Sequence, residues 1–364
     1  MILMDVKLSH VYGFDDFHIN FTYPRKLSRS LIGEETLEGR ERFRYKKAVI
    51  LMGSNATGKT SLGRALHKIF RSIKEANEAI LRDLDYSGTP AKFQVDFVNE
   101  GHMLHRFAGT VDGESVSIRY FTAEIAEMDS YQMAAEKLFE RTKEIGGSFK
   151  GLRKAIGPLE YRFAYPEMES SLQVTDVNKE ALLRTLRAVI GTLDPTLTDV
   201  AIAKDLKNSF VIRRRGQEII IQEGKLLNKE LLSSGTVEGI DVAFFLASMP
   251  SHKNCFYYCD EHFSYIHSDI EKNIFGLMVE HLGRNEQLIF TTQNTDMLDL
   301  NLPRHAFAFM RKKIDEGEYK VSVTFASEIL KRHTDSVKCA FENDVFRSLP
   351  DTSLLDELDS GVEV

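Results

Sequence analysis

Residues 47–61 read KAVILMGSNATGKTS, and this stretch decides the fold. The apolar run at residues 48–52 predicts a strand that is buried on both faces of a sheet. A Gly-x-x-x-x-Gly-Lys-Thr spacing follows, and a helical pattern of apolar residues continues beyond it. A strand, a glycine-rich loop and a helix in this order predict a phosphate-binding loop, because the loop N–H groups and the helix N-terminus together receive an anion.

Each position of this loop has a predicted role. Glycine at 53 and 58 allows a close backbone approach that a Cβ would block. We expect Lys59 to reach the β- and γ-phosphates and the Thr60 hydroxyl to ligate Mg²⁺. The predicted nucleotide-binding residues of the loop are Gly53, Asn55, Ala56, Thr57, Gly58, Lys59, Thr60 and Ser61.

A second anchor for Mg²⁺ is predicted from the stretch CFYYCDE at residues 255–261. Its apolar residues indicate a buried strand, which would bring Asp260 to the carboxyl edge of the sheet, where ligands bind. Glu261 would then polarise a water for attack on the γ-phosphate, as a general base. We therefore predict Thr60 and Asp260 as metal ligands and Glu261 as a catalytic residue.

The stretch LLSSGTVEGIDVAFFLASM at residues 231–249 predicts a helix that begins near a pair of serines. Taken alone, Ser233 or Ser234 is an N-cap residue. The pair also lies about twenty residues before a strand that ends in Asp-Glu. That position keeps a second interpretation open, in which the serines and Gly235 offer hydrogen-bond donors to a phosphate.

Together these stretches resemble the ABC-type ATPases of the SMC, RecF and OLD group. Leu232–Thr236 resembles their LSGGQ signature, with Ser233 on the signature serine and Gly235 on its second glycine. DEHFSYIHSDI at 260–270 resembles their Walker B and D-loop, and NEQLIFTTQNTDMLD at 285–299 resembles their switch segment. The resemblance implies ATP and Mg²⁺ as ligands. It also implies a homodimer in which Ser233, Ser234 and Gly235 of one copy close on the γ-phosphate held by the other.

The switch segment departs from the family pattern at Gln293, where those ATPases have a histidine. Glutamine is neutral and can only hydrogen-bond to the γ-phosphate or the attacking water. We therefore assign Gln293 to the catalytic group and expect either slow hydrolysis or a site that acts mainly as a nucleotide-gated switch.

The predicted fold is an α/β P-loop NTPase of ABC type, with a mixed sheet, helical cover and an α-helical insert lobe. Residues 1–85 form the N-terminal half and residues 86–174 a β-strand arm with the helical insert. Residues 175–345 form the C-terminal half with signature, Walker B, D-loop and switch, and residues 346–364 an acidic tail. The Q-loop glutamine of the family is not assignable, with Gln94 and Gln132 as its two candidates.

Bulk composition narrows the function classes. The net charge of −7 disfavours a general nucleic-acid coat, while basic clusters at 24–48, 213–215 and 311–313 keep local nucleic-acid binding open. The three cysteines form no disulfide or zinc pattern. The chain shows neither a secretory signal nor an apolar run of the roughly 20 residues that span a bilayer. We therefore expect a cytoplasmic protein with no membrane partner.

Three functions remain open. The insert is too short for the SMC coiled coil, and no acidic cluster after residue 300 resembles the Toprim nuclease of OLD proteins. The chain is most similar in this respect to the small ATPase subunits of bacterial antiviral systems such as PARIS and Septu, which implies an ATPase sensor or scaffold that controls a separate effector, a toxin or a nuclease. The alternatives are a RecF-like DNA repair ATPase and a nucleotide-held assembly module with little turnover.

Overall fold

The computed structural model describes residues 1–25, 30–84, 88–165, 177–197, 199–203, 206, 208–214, 216–315, 318–332 and 335–350. The acidic tail beyond residue 350 and the basic residues 26 and 29 therefore lie outside the described residues. The strands are, in chain order, β1 (Ile2–Ser9), β2 (Phe17–Asn20), β3 (Thr36–Leu37), β4 (Arg40–Arg44), β5 (Ala48–Met52), β6 (Ala91–Val98), β7 (Met103–Asp112), β8 (Ser115–Glu124), β9 (Phe139–Glu140), β10 (Tyr161–Ala164), β11 (Asp199–Ile202), β12 (Ser209–Arg214), β13 (Gln217–Gln222), β14 (Lys225–Leu226), β15 (Phe256–Asp260), β16 (Gln287–Thr292), β17 (Phe307–Asp315) and β18 (Glu318–Phe325).

The α-helices are α1 (Lys59–Glu75), α2 (Tyr131–Glu136), α3 (Phe149–Ile156), α4 (Lys179–Leu193), α5 (Ser234–Ser248), α6 (Ser268–His281), α7 (Ala326–Ile329) and α8 (Val337–Glu342). Short 3₁₀ helices lie at Glu78–Leu84, Lys229–Leu231, Met249–Ser251, Thr295–Asp299 and Arg304–Ala306. No helix in the described ranges is long and apolar enough to cross a bilayer.

A central mixed sheet carries the predicted site. Its order is β10-β15-β16-β5-β17-β18, and every neighbouring pair is parallel except β17 with β18. Every residue of β5, β15 and β16 is buried, as predicted for β5 and β15 from their continuous apolar runs. Because β16 lies between β5 and β15, the residues after these three strands meet at one carboxyl edge.

The central sheet is covered on both faces. Alternate residues of β5 face opposite cores: Val49 and Leu51 pack in the cluster with α1, whereas Ile50 packs in the cluster with α4, α5 and α6. The helix α1 buries an apolar stripe at helical spacing and ends where Ala76 adopts a left-handed conformation. In contrast, α5 is buried nearly all round, because it lies between the sheet and α4. The fold is therefore the predicted α/β sheet with helical cover.

A second, antiparallel sheet has the order β2-β1-β6-β7-β8-β9 and packs on the α1 side. Four of its strands, β6 to β9, lie within residues 86–174. The helical pattern predicted at about 129–160 corresponds to two short helices, α2 and α3, and β10 returns to the central sheet beside β15. The described part of this segment is thus more β-rich than the predicted helical lobe, because the amphipathic stretches are interrupted by turns such as Gly146-Gly147, both at positive φ.

A four-stranded antiparallel sheet, β11-β12-β13-β14, lies on the other side, between α4 and the start of α5. Its central hairpin joins Ser209–Arg214 to Gln217–Gln222, and Arg215 of the predicted RGQE turn and of the basic cluster 213–215 lies outside the described residues. This sheet leads the chain into the signature at Leu232.

Candidate nucleotide-binding and catalytic site

The phosphate loop has the local conformation that its sequence predicts. Residue 58 is the N-cap of α1 with φ 103°, and residue 56 has φ 61°. A Cβ on Gly53 would lie 2.8 Å from the Met310 carbonyl oxygen, and one on Gly58 would lie 2.9 Å from the ring of Phe14. Both positions therefore require glycine, and the loop keeps its N–H groups at the start of a helix.

Lys59 is held inside the loop. Its side chain is only 4% exposed, and its ammonium donates to the carbonyl oxygens of Gly53 at 2.7 Å and Ser54 at 3.2 Å. The same ammonium forms an ion pair with Glu261 Oε1 at 2.9 Å. The lysine and the glutamate that were predicted as phosphate ligand and general base thus contact each other directly.

Asp260 and Thr60 lie together beside the loop. The Asp260 carboxylate is buried and accepts hydrogen bonds from the hydroxyls of Thr291, at 2.8 Å, and Thr60. Burial raises the pKa of Asp260 and these two hydrogen bonds oppose the rise. A hydroxyl and a carboxylate are hard oxygen donors that suit Mg²⁺, which needs few protein ligands when phosphates and waters complete its shell. No cluster of three or more His, Cys, Asp or Glu side chains that could hold a metal ion occurs in the described ranges.

The packing of α1 on β15 sets this arrangement. A Cβ on Gly63 would lie 2.5 Å from the Tyr258 ring, so only glycine lets α1 approach the strand this closely. The Tyr258 hydroxyl donates to the Lys59 carbonyl oxygen at 2.6 Å. Helix and strand are thereby fixed with Thr60 next to Asp260.

A hydrogen-bonded chain crosses the mouth of the loop. Gln293, which directly follows β16, donates from Nε2 to Asn55 Oδ1 at 2.7 Å and to Glu261 Oε1 at 3.1 Å. Glu261 itself has φ 45°, and its N–H donates to the backbone oxygen of Thr291 at 3.2 Å. Gln293 therefore contacts both the phosphate loop and the predicted base.

The signature residues lie elsewhere. Ser233 is the N-cap of α5, and its hydroxyl accepts from the Thr236 N–H at 3.2 Å, so the N-cap interpretation is confirmed. Ser233 and Ser234 are exposed. Gly235 faces the loop after β15, where a Cβ would lie 2.5 Å from the Tyr265 carbonyl oxygen. The structure packs the signature against the D-loop and does not bring it to the chain's own phosphate loop.

A cavity of about 270 Å³ opens on the phosphate loop. The cavity is lined by residues of the predicted site and also by residues from two distant parts of the chain, the turn after β1 and the β17–β18 hairpin. Its lining consists of Tyr12, Gly13, Phe14, residues 55–61, Glu261, Lys312 and Val321. Lys312 belongs to the basic run 311–313, and Gly13 to a turn visible in the sequence, but neither pattern pointed to the nucleotide. Both Q-loop candidates lie outside this lining, Gln94 within β6 and Gln132 within α2.

Three cations of the predicted basic clusters have defined places within the fold. Arg213 pairs with Asp199 at 2.8 Å and with Glu218 at 3.2 Å. Lys46 is buried, with its ammonium bonded to a backbone carbonyl oxygen. Lys312 lines the cavity described above.

Solved SMC head domains share this architecture. One, the SMC head bound to the C-winged helix domain of ScpA, covers 91% of this chain and 100% of its own length, with a TM-score of 0.53 and 14% identity. The fold is that of an SMC head domain. The SMC head domain from Thermotoga maritima covers 88% of this chain and 98% of its own length, with a TM-score of 0.43 and 14% identity. A head domain with an extended coiled coil, bound to the C-terminal domain of ScpA and derived from Pyrococcus furiosus, covers 90% and 97%, with a TM-score of 0.47 and 13% identity. No protein-family model and no curated protein matches the chain.

Proposed function

We propose that this chain binds ATP with Mg²⁺ and hydrolyses it. The observation that carries the proposal is the meeting of Lys59, Thr60, Asp260 and Glu261 at one edge of the central sheet, where Lys59, Thr60 and Glu261 line a cavity of about 270 Å³ and Asp260 accepts a hydrogen bond from Thr60. A buried cation, two oxygen ligands and a carboxylate beside a helix N-terminus are the groups that phosphoryl transfer to water requires.

Each group has a distinct task in the proposed reaction. Lys59 exchanges its bond to Glu261 for the β- and γ-phosphates. Thr60 and Asp260 hold the Mg²⁺ ion, which neutralises phosphate charge when it is bound. Glu261, once released, accepts a proton from the attacking water. Gln293 holds the side chains of Glu261 and Asn55 in place through its hydrogen bonds to them. It orients the water by hydrogen bonding alone.

Removal of the loop cation tests the site. We expect Lys59→Ala to lose ATP binding, as measured by titration calorimetry, because the buried phosphate charge would lack its cation. Lys68→Ala is a matched control on the same helix, since Lys68 pairs with Asp83 and lies outside the cavity lining. Unchanged ATP affinity in Lys59→Ala would overturn the assignment.

We further propose that the working form is a dimer around ATP. The exposed Ser233 and Ser234 at the start of α5 have no task at the chain's own loop, and a helix N-terminus with two hydroxyls suits a phosphate held by a second copy. Glu261→Gln should trap this dimer, because ATP binding survives while water activation is lost. Light scattering coupled to size exclusion would then show a doubled mass with ATP, and Ser234→Arg in the same background would restore the monomer. A Glu261→Gln protein that stays monomeric with saturating ATP contradicts the model.

The cellular role that we propose is control of a separate effector protein in bacterial antiviral defence. Its support is the sequence resemblance to OLD-like ATPases and to the small ATPase subunits of antiviral systems. The head domain with the same fold is itself described in complex with a domain of another protein, ScpA. Co-expression with the product of the adjacent gene, followed by phage plating, tests this role. Equal plaque counts with and without the pair, or with Lys59→Ala, would refute it.

Binding of DNA is a second candidate function, and one surface favours it. A groove of about 670 Å³ runs over the antiparallel sheet, and the exposed Lys7, Lys92 and Lys320 line it. DNA binding at this groove would weaken steeply with salt, and Lys→Glu changes at the three positions would abolish it. Fluorescence anisotropy with labelled duplex over a range of salt concentrations decides between the two roles.

The third candidate, a nucleotide-held assembly module with little turnover, follows from Gln293. ATP-dependent dimerisation without phosphate release in the unaltered protein would favour it over both other roles.

A further inference from the structure

The side chain of Tyr165 carries a buried polar group close to the candidate site. The residue follows β10 directly and is 3% exposed. Its hydroxyl is buried, and no hydrogen-bond partner for it occurs among the residues that the structure describes. Buried hydroxyls are nearly always paired, so an unpaired one points to a ligand that is bound during function.

The position of Tyr165 places this hydroxyl on the metal side of the site. β10 runs parallel to β15 with Ala164 opposite Cys259, so Tyr165 comes level with Asp260 at the carboxyl edge. Alternate residues of the two strands face α1, which puts Phe163, Tyr165 and Tyr258 in one apolar cluster. Asp260 is on the same face, as its hydrogen bond with Thr60 of α1 shows.

The ring is held rigidly. It stacks on Phe163 at 6.3 Å between ring centroids and on His67 of α1 at 6.1 Å. Burial raises the pKa of Tyr165, and among charged groups Asp260 contributes most to that rise. The hydroxyl therefore stays protonated at neutral pH and is available as a donor near Asp260.

We propose that Tyr165 is a positioning residue for the Mg²⁺–ATP complex, in which its hydroxyl donates a hydrogen bond to the oxygen ligands that surround the ion. This inference rests on the proposed function, because it assumes that Thr60 and Asp260 hold Mg²⁺. Groups outside the direct ligands orient metal sites, and their loss typically weakens metal affinity about 10–100-fold. Tyr165 supplies such a group from the residue after β10. Asp260 would then be approached from three elements: by Thr60 from α1, by Thr291 from β16 and by Tyr165 from the β10 side.

The test is Tyr165→Phe, which keeps the ring and removes only the hydroxyl. The readout is the Mg²⁺ concentration that gives half-maximal enhancement of binding of a fluorescent ATP analogue, with no turnover involved. We expect this concentration to rise about tenfold, while binding of the analogue in EDTA stays unchanged. Tyr161→Phe is the matched control on the same strand, because its partner in register is Phe256 at the far end of β15.

Thermal unfolding without ligands separates this role from a structural one. Loss of an unpaired buried hydroxyl should raise the Tm of ligand-free Tyr165→Phe by roughly 1–3 °C, whereas loss of a structural hydrogen bond would lower it. A lowered Tm, or a Mg²⁺ requirement equal to that of the unaltered protein, would overturn the inference. If the unaltered protein itself binds no ATP analogue, the proposed function fails, and that result is distinguishable from the failure of this inference alone.

Discussion

The ion pair between Lys59 and Glu261 leads to a prediction about nucleotide affinity. In the free protein the two charged groups are 2.9 Å apart, and Lys59 is almost wholly buried. Incoming phosphates must therefore displace a carboxylate from the lysine before they can bind it. The change Glu261→Gln keeps the size and hydrogen-bonding groups of the side chain but removes its charge.

The magnitude follows from the kind of bond that is lost. The amide introduced by Glu261→Gln would still accept a hydrogen bond from the charged Lys59, so the change removes only the ion-pair part of the contact, and for a partly exposed pair this costs the free state about 1 kcal/mol relative to the bound state. This difference corresponds to roughly fivefold tighter binding. Because Lys59 is expected to bind the β-phosphate as well, ADP should gain affinity together with ATP.

Calorimetric titration with ADP is the decisive assay, because ADP lacks the γ-phosphate that would close a dimer. Glu286→Gln is a suitable control, since Glu286 is also a buried carboxylate but accepts from the Gly283 and Cys255 N–H groups at the start of β15 and β16. Equal ADP affinity in Glu261→Gln and the unaltered protein would show that the ion pair does not compete with phosphate. An equal gain in Glu286→Gln would show that the effect is not local.

Three further predictions concern catalysis, packing and pH. Gln293→His should raise the steady-state rate of phosphate release at least about tenfold, because general acid–base groups contribute about 10²–10⁴ and glutamine offers none; a slower variant would contradict the role given to this position. Gly235→Ala should lower the free energy of unfolding by about 1–3 kcal/mol in urea denaturation, since its Cβ would lie 2.5 Å from the Tyr265 carbonyl oxygen. Gly276→Ala, a helix position with open space around it, should instead raise it by about 0.5–1 kcal/mol. Burial lowers the pKa of Lys46 to about 7, from 10.5 for the free side chain, so the unfolded chain binds more protons between these values and the free energy of unfolding should rise from pH 7 towards pH 10. The Lys46→Met protein should lose that part of the slope.

The sequence predicted the parts of the site that depend on local patterns. The strand before the phosphate loop, the strand that ends at Asp260 and the strand Gln287–Thr292 lie within a residue of their predicted bounds. The first two are continuous apolar runs, the pattern of strands that are buried on both faces of a sheet. From there, parallel strand order alone brings Asp260, Gln293 and the loop to one edge.

Other parts of the site depend on tertiary neighbours that local patterns do not encode. Lys312 lines the cavity because β17 pairs with β5, and Tyr12 because the turn after β1 reaches the loop. Ser233 shows a different limit: its sequence context fits an N-cap and a signature serine equally well, and the N-cap geometry of a single chain is compatible with both. The helical pattern near residue 140 was wrong in its length, since α2 ends at Glu136 and α3 begins only after the turn at Gly146 and Gly147, which have positive φ.

The contact between Gly235 and Tyr265 has a consequence for how two active sites would communicate. Within one chain it joins the start of α5, which would face another copy's nucleotide, to the loop that begins at Glu261 beside the chain's own nucleotide. Release of Glu261 from Lys59 in one site would thus shift the start of α5, which would face the nucleotide site of the other copy. Two copies linked in this way would bind ATP cooperatively, and by thermodynamic reciprocity each site would strengthen the other by the same factor.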